Sequence, residues 1–165
     1  MKVTNLLQVM AFIAIISFTS CATDATEDEA LSSIEVPVAP IAKSIEIEIM
    51  ERINTYRINE GLSPLENHET VKAVASTHTD YMIEVNNVSH DNFFLRKQSL
   101  QANANANLVT ENVAYGFSSA DAVVNAWIAS SSHRENIEGD FTHFDVSAEQ
   151  NSAGKWYFTN MFIKR

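Results

Sequence analysis

Basic residues are scarce in this 165-residue chain: 11 Lys and Arg stand against 21 Asp and Glu, a formal charge of −10 at pH 7. No cluster of Lys and Arg offsets that balance, so the surface repels phosphate backbones and nucleic acid is not an expected partner. Cysteine is scarcer still. Cys21 is the only one, which rules out an internal disulfide, and a chain of this length buries enough surface to fold without staples. With 4 Gly and 3 Pro there is little to interrupt regular elements. A G-x-S-x-G elbow, a P-loop and a glycine-rich dinucleotide fingerprint are all missing, so serine and nucleotide-dependent catalysis lack their parts.

What is present falls into three segments. Lys2 precedes an apolar run, Val9–Phe18, long enough for a signal-peptide core and too short for a permanent membrane span. The run leads through Thr19 and Ser20 into Cys21 and resembles the lipobox of a bacterial lipoprotein, with Phe18 in place of the usual leucine. Residues 1–20 are therefore expected to be an export signal and Cys21 the lipidation site, which would tether the chain to a bacterial membrane. The alternative is a plain secretory signal that leaves a free thiol. Residues 21–40 mix Asp, Glu, Ser and Thr with two prolines and no apolar period, the composition of a flexible acidic linker.

From residue 41 the chain reads as one folded domain. Ile45, Ile49, Ile53 and Tyr56 recur at helical spacing up to Gly61. A second helix is expected with Asn67 as its cap and Val71, Val74, His78, Met82 and Val85 as its buried stripe, which makes His78 a core histidine rather than a ligand. Phe93, Phe94 and Leu95 start a short helix, and the low-complexity stretch Gln101–Asn107 reads as its end running into an exposed, disordered loop. Ser118 or Ser119 opens a further helix with Ala120, Val123, Val124, Trp127 and Ile128 inward, ending in the serines at 130–132. Beyond Phe144 the period becomes two, Asn151–Gly154 can turn the chain, and a terminal hairpin follows, with one more short strand near Val113. Helices packed on an antiparallel sheet make this the α+β class.

Outside the expected helices the polar candidates are His90, Glu111, His133 and His143. Imidazoles with a carboxylate can hold a divalent ion or share protons near neutral pH, yet nothing in their spacing forces them together.

Four ordered motifs bear on this: Asn54-x-x-Arg57-x-x-x-Gly61-Leu62-x-Pro64-Leu65, then Ser89-His90, then Glu111-Asn112-Val113-Ala114-Tyr115-Gly116, then Trp127 followed by His133-Arg134-Glu135-Asn136-Ile137. Together they resemble the signature of the CAP superfamily (cysteine-rich secretory proteins, antigen 5 and pathogenesis-related proteins), in its bacterial SCP-like extracellular branch. The resemblance implies that residues 41–165 form a three-layer α-β-α sandwich with a cleft lined by His90, Glu111 and His133. The second glutamate of animal members is missing after Trp127, and the family's glycine-rich entry to the next strand is replaced by His143-Phe144-Asp145-Val146. That leaves His143 as either an additional ligand or an exposed strand-edge residue. Two functional classes stay open: a non-catalytic envelope module whose cleft binds a lipid, peptide or cell-wall component, or a hydrolase using Zn or another divalent cation in the same cleft.

Overall fold

A computed structural model describes residues 35–165. The export signal, Cys21 and the first part of the linker lie outside the described residues. Within them the order is α1 (Ser44–Asn59), β1 (Glu66–Asn67), α2 (Glu69–Glu84), α3 (Phe93–Ala104), β2 (Leu108–Tyr115), α4 (Ala120–Ala129), α5 (Ser131–Glu138), β3 (His143–Gln150) and β4 (Trp156–Lys164). The strands lie in the order β1-β3-β4-β2. β4 runs antiparallel to both neighbours, and β1 adds a two-residue parallel bridge to β3.

Strand alternation gives the sheet two buried faces. Phe144, Val146, Ala148, Phe158, Phe162 and Ala114 meet Ile49 and Ile53 of α1, Val123 and Trp127 of α4, and Ile137 of α5. On the other face Val109, Met161 and Ile163 meet Val71 and Val74 of α2 and Leu100 and Ala104 of α3. The result is the α-β-α sandwich expected of the sequence. Each large aliphatic or aromatic side chain in these clusters contributes about 1.5–3 kcal/mol through burial.

Short-range chemistry sets the helix ends. The Glu46 carboxylate accepts from the Lys43 backbone N–H at 2.6 Å and closes the first turn of α1, while Gly61 takes φ +76° past its end. Asn54 exchanges two hydrogen bonds with the backbone of Leu65, at 2.8 and 2.9 Å. Buried Arg57 donates to the carbonyls of Ser63, Ile137 and Gly139. The first of the four motifs is thus a brace: it folds the 61–65 loop back onto α1 and ties α1 to the end of α5.

Four expectations are corrected. Asn67 does not cap α2, because it is paired with Phe144 in β1; His68 caps it, Nδ1 accepting from the Thr70 N–H. Val85 is not in the stripe but 44% exposed at the helix end. The Gln101–Asn107 stretch is no disordered loop: it completes α3, turns at Asn105 with φ +53°, and buries Ala104 and Ala106 in the second cluster. Packing also begins before residue 41, since Val36 rests against that cluster.

Side chains occupy part of the backbone edge of β2 and, beyond the short β1, of β3. On β2, Trp127 Nε1 donates to the Val113 carbonyl at 3.2 Å and Asn136 Nδ2 to the Glu111 carbonyl at 3.2 Å. On β3, beyond the short β1, the Ala148 N–H donates to Glu46 at 2.7 Å and Lys72 Nζ donates to the Val146 carbonyl at 2.8 Å. Lys72 and Glu46 also pair with each other at 2.6 Å, both buried.

Candidate functional site

Glu111 shares its sheet face with Met161, its register partner, and so points toward α2 and α3. Its side chain is 1% exposed. A carboxylate so placed is costly without partners, and the fold supplies them from the loop and helix that follow α2. Arg96 forks onto it, Nε to Oε2 at 2.7 Å and Nη2 to Oε1 at 2.8 Å. His90 Nδ1 meets Oε1 at 2.8 Å, and His78 Nε2 stands 3.9 Å away. Burial alone pushes the Glu111 pKa up; the hydrogen bonds from His90 and Arg96 and the Arg96 charge outweigh it and hold the carboxyl below its ordinary value. An ionised carboxylate only accepts. His90 therefore carries a proton on Nδ1, and Nε2 of this 54%-exposed side chain lies on the side of the ring away from the carboxylate.

The loop is held in turn. Arg96 Nη1 donates to the Asp91 carbonyl at 2.6 Å, Tyr81 donates to the Asp91 side chain at 3.2 Å, and buried His78 donates through Nε2 to the Ser89 carbonyl at 2.8 Å. Burial pushes the His78 pKa down, so it serves as a neutral strut, consistent with a core histidine. Among the described residues its Nδ1 has no hydrogen-bond partner.

α5 approaches from the opposite layer. Asn112, fully buried on β2, donates to the His133 carbonyl at 3.0 Å and accepts from Asn136 at 2.7 Å. The Glu-Asn and His-Arg-x-Asn-Ile motifs are thereby one interlock: the asparagines join strand to helix, and Ile137 anchors the helix in the core. His133 was expected outside a helix and lies in the first turn of α5. It is half-buried; its pKa is pushed down by burial and then by the nearby His90 charge.

A cleft of about 280 Å³ opens here, lined by His90, Phe93, Val109, Thr110, Glu111 and Asn136. His90 and Glu111 share it, whereas His133 stands near His90 but is not in the lining. His143 is elsewhere. It lies on β3 beside β1, across the sheet from β2, with Nδ1 against the Thr142 hydroxyl at 2.8 Å and its ring edge-on to His68. Its place as an additional ligand is therefore corrected to a strand-edge contact. One participant escaped the sequence reading, Arg96, and Asn136 was named there only as part of the fourth motif. The signal for Arg96 was indirect: a buried glutamate requires a cation, and only a folded chain shows which one.

For a divalent ion the donor set is poor. Both oxygens of Glu111 accept from a guanidinium, whose charge repels a second cation. Among the described residues no three His, Cys, Asp or Glu side chains are grouped to hold a metal. No described helix is long and apolar enough to cross a membrane.

A sequence model of the cysteine-rich secretory protein family, CAP, matches residues 50–162. An uncharacterized membrane protein of Bacillus subtilis, YlbC, is 30% identical over 129 residues, which are 76% of this chain and 36% of that protein. The chain thus spans about a third of the length of that curated relative. Among solved structures, an extracellular protein containing an SCP domain from Bacillus anthracis is 27% identical with a TM-score of 0.62, covering 77% of this chain and 45% of the other. An outer surface protein of Borrelia burgdorferi shares the fold at 24% identity and a TM-score of 0.67, covering 78% of this chain and 99% of that one. A cysteine-rich secretory protein of Staphylococcus aureus does so at 21% identity and a TM-score of 0.63, covering 76% and 40%.

Proposed function

Because this chain belongs to the CAP (cysteine-rich secretory protein) family, we propose that it is an exported, lipid-anchored module of the bacterial envelope that binds a lipid, peptide or cell-wall component in the His90/Glu111 cleft without catalysing a reaction. One observation carries this reading: the Arg96 fork occupies both oxygens of Glu111. A carboxylate so engaged positions His90 and is not free to activate water or ligate a metal. What remains for a ligand is the exposed imidazole edge of His90, the half-buried ring of Phe93 and the edge of Asn136. Relatives described as extracellular or as a membrane protein support export, and the lipobox-like Phe18-Thr19-Ser20-Cys21 supports the anchor.

Two measurements test it. Protein purified without added metal should contain no stoichiometric Zn or other divalent ion, and a chelator should leave its melting temperature unchanged. Envelope extracts separated into lipid, peptide and glycan fractions should include one that raises the melting temperature by linkage, an effect lost in His90→Ala with Phe93→Ala. A stoichiometric metal lost in His90→Ala with His133→Ala would replace the binding module with a metal-dependent hydrolase. For the anchor, Cys21→Ser should move the protein out of the membrane fraction; an unchanged distribution rejects lipidation.

A further inference from the structure

A second cavity, of about 600 Å³, lies at the other edge of the sheet. It exists because the chain changes layers there: Val36 packs with the α2/α3 cluster, α1 belongs to the opposite layer, and residues 37–43 pass the short β1 between them. That strap forms one wall through Val38, Ala39, Pro40, Ile41 and Ala42, and Met50 of α1 continues it. Asn67, His68, Glu69, Lys72 and Asp145 form the other. A volume of this order suits a small molecule.

Asp145 sets the chemistry. It is 6% exposed, and its carboxylate accepts from the backbone N–H groups of Val146 and His68. Among the described residues it forms no ion pair. Lys72 shares the wall, but its ammonium is committed to Glu46 and to the Val146 carbonyl. His68 spends Nδ1 on the Thr70 N–H, and Glu69 adds negative charge at the rim. A buried carboxylate without a counter-ion, in a cavity that buried Met50 and half-buried Ala39 also line while Val38 and Ile41 stand exposed at its mouth, matches a ligand with one positive group on a hydrocarbon body. A metal ion fits less well, since no three His, Cys, Asp or Glu side chains group together among the described residues.

We propose that this cavity binds a small organic ammonium ion, its charged head against Asp145 and its apolar part against Met50 and the 38–42 strap. The site is separate from the His90 cleft and does not depend on what that cleft binds.

The test is an NMR titration of the ¹⁵N-labelled mature chain at pH 8 with butylammonium chloride, with 1-butanol as the uncharged control. Butylammonium should shift the amide resonances of His68, Lys72 and Asp145 saturably, and butanol should not. Asp145→Asn keeps the shape of the side chain and one acceptor oxygen for the backbone donors, so it should fold and weaken the response at least about tenfold, the loss of one charge-assisted contact. Ala42→Trp places its bulk at an exposed position of the strap and should block the cavity without touching the core. An absent or unsaturable response in the unaltered protein, an equal response to butanol, or an unchanged affinity in either variant overturns the proposal.

Discussion

Two of the buried carboxylates stand on strands near opposite edges of the sheet, and the fold treats them in opposite ways. Glu111, near the β2 edge, is neutralised by a guanidinium fork and an imidazole N–H, and its carboxyl is held below the ordinary value. Asp145, near the β1 edge, has backbone donors only; burial pushes its pKa up to about 6, against the weaker pull of those donors and of the Lys72 charge. Both groups are nearly inaccessible, so depth alone does not set a carboxylate's behaviour. What differs is whether a cation is spent on it, and near β1 the available lysine is spent on Glu46 instead.

The contrast is broken most severely by removing the Arg96 charge. Arg96→Met leaves Glu111 buried against a single exposed imidazole and should cost about 3–5 kcal/mol in chemical denaturation. A loss under about 1 kcal/mol would mean that water or His90 compensates the carboxylate, contrary to the geometry.

A change at Asp145 should act in the other direction. An unfolded aspartate loses its proton near pH 4, whereas in the folded chain Asp145 keeps its proton to about pH 6. The stability it contributes is therefore fully present below about pH 4 and is lost as pH rises through about 6. Asp145→Asn should raise stability by about 1–3 kcal/mol at pH 8, leave it nearly unchanged at pH 4, and flatten the profile between. For Glu111 the sign reverses: its stabilisation is present above the ordinary glutamate value and is lost as pH falls through its lowered one. Denaturant midpoints for the two proteins between pH 3 and pH 8 check both signs.

Smaller effects sharpen the comparison. His90→Ala removes one hydrogen bond to a charged group and should cost about 1–2 kcal/mol, with the acid limb of the pH profile moved upward. On the β1 side, a chain beginning at Ile41 loses the half-buried Val36 and part of the strap and should lose about 1 kcal/mol. If that truncated chain melts with the full mature protein, Val36 is a surface contact and residues 35–40 are linker alone.

The same two edges show how far the sequence could be read. Stripes of Ile49, Ile53 and Tyr56 or of Val123, Val124 and Trp127 announce helices because period 3.6 is written in the apolar residues themselves, and the alternation from Phe144 announces the hairpin. α5 was illegible for the same reason: Ser131–Glu138 has one buried apolar residue, Ile137, and is held by asparagine contacts whose partner lies on β2. β1 is two residues long and has no period at all. At the site, the motifs singled out His90, Glu111 and His133, but the pairing of Glu111 with Arg96 joins residues 15 apart in sequence through a loop whose path no local pattern sets. The two readings of His143 stayed open because a histidine opening a strand reads alike at either edge.

The side chains that cover the outer strands have a consequence for crowding. Trp127 and Asn136 occupy carbonyls on β2, and the Glu46–Lys72 pair occupies an amide and a carbonyl on β3. An unpaired strand is a template on which another copy can extend the sheet, and such copies grow into aggregates. Copies crowded together would collide repeatedly in many orientations. At either rim of the sheet each would meet indole, amide and charged groups across part of the backbone row, which interrupts the template for an added strand.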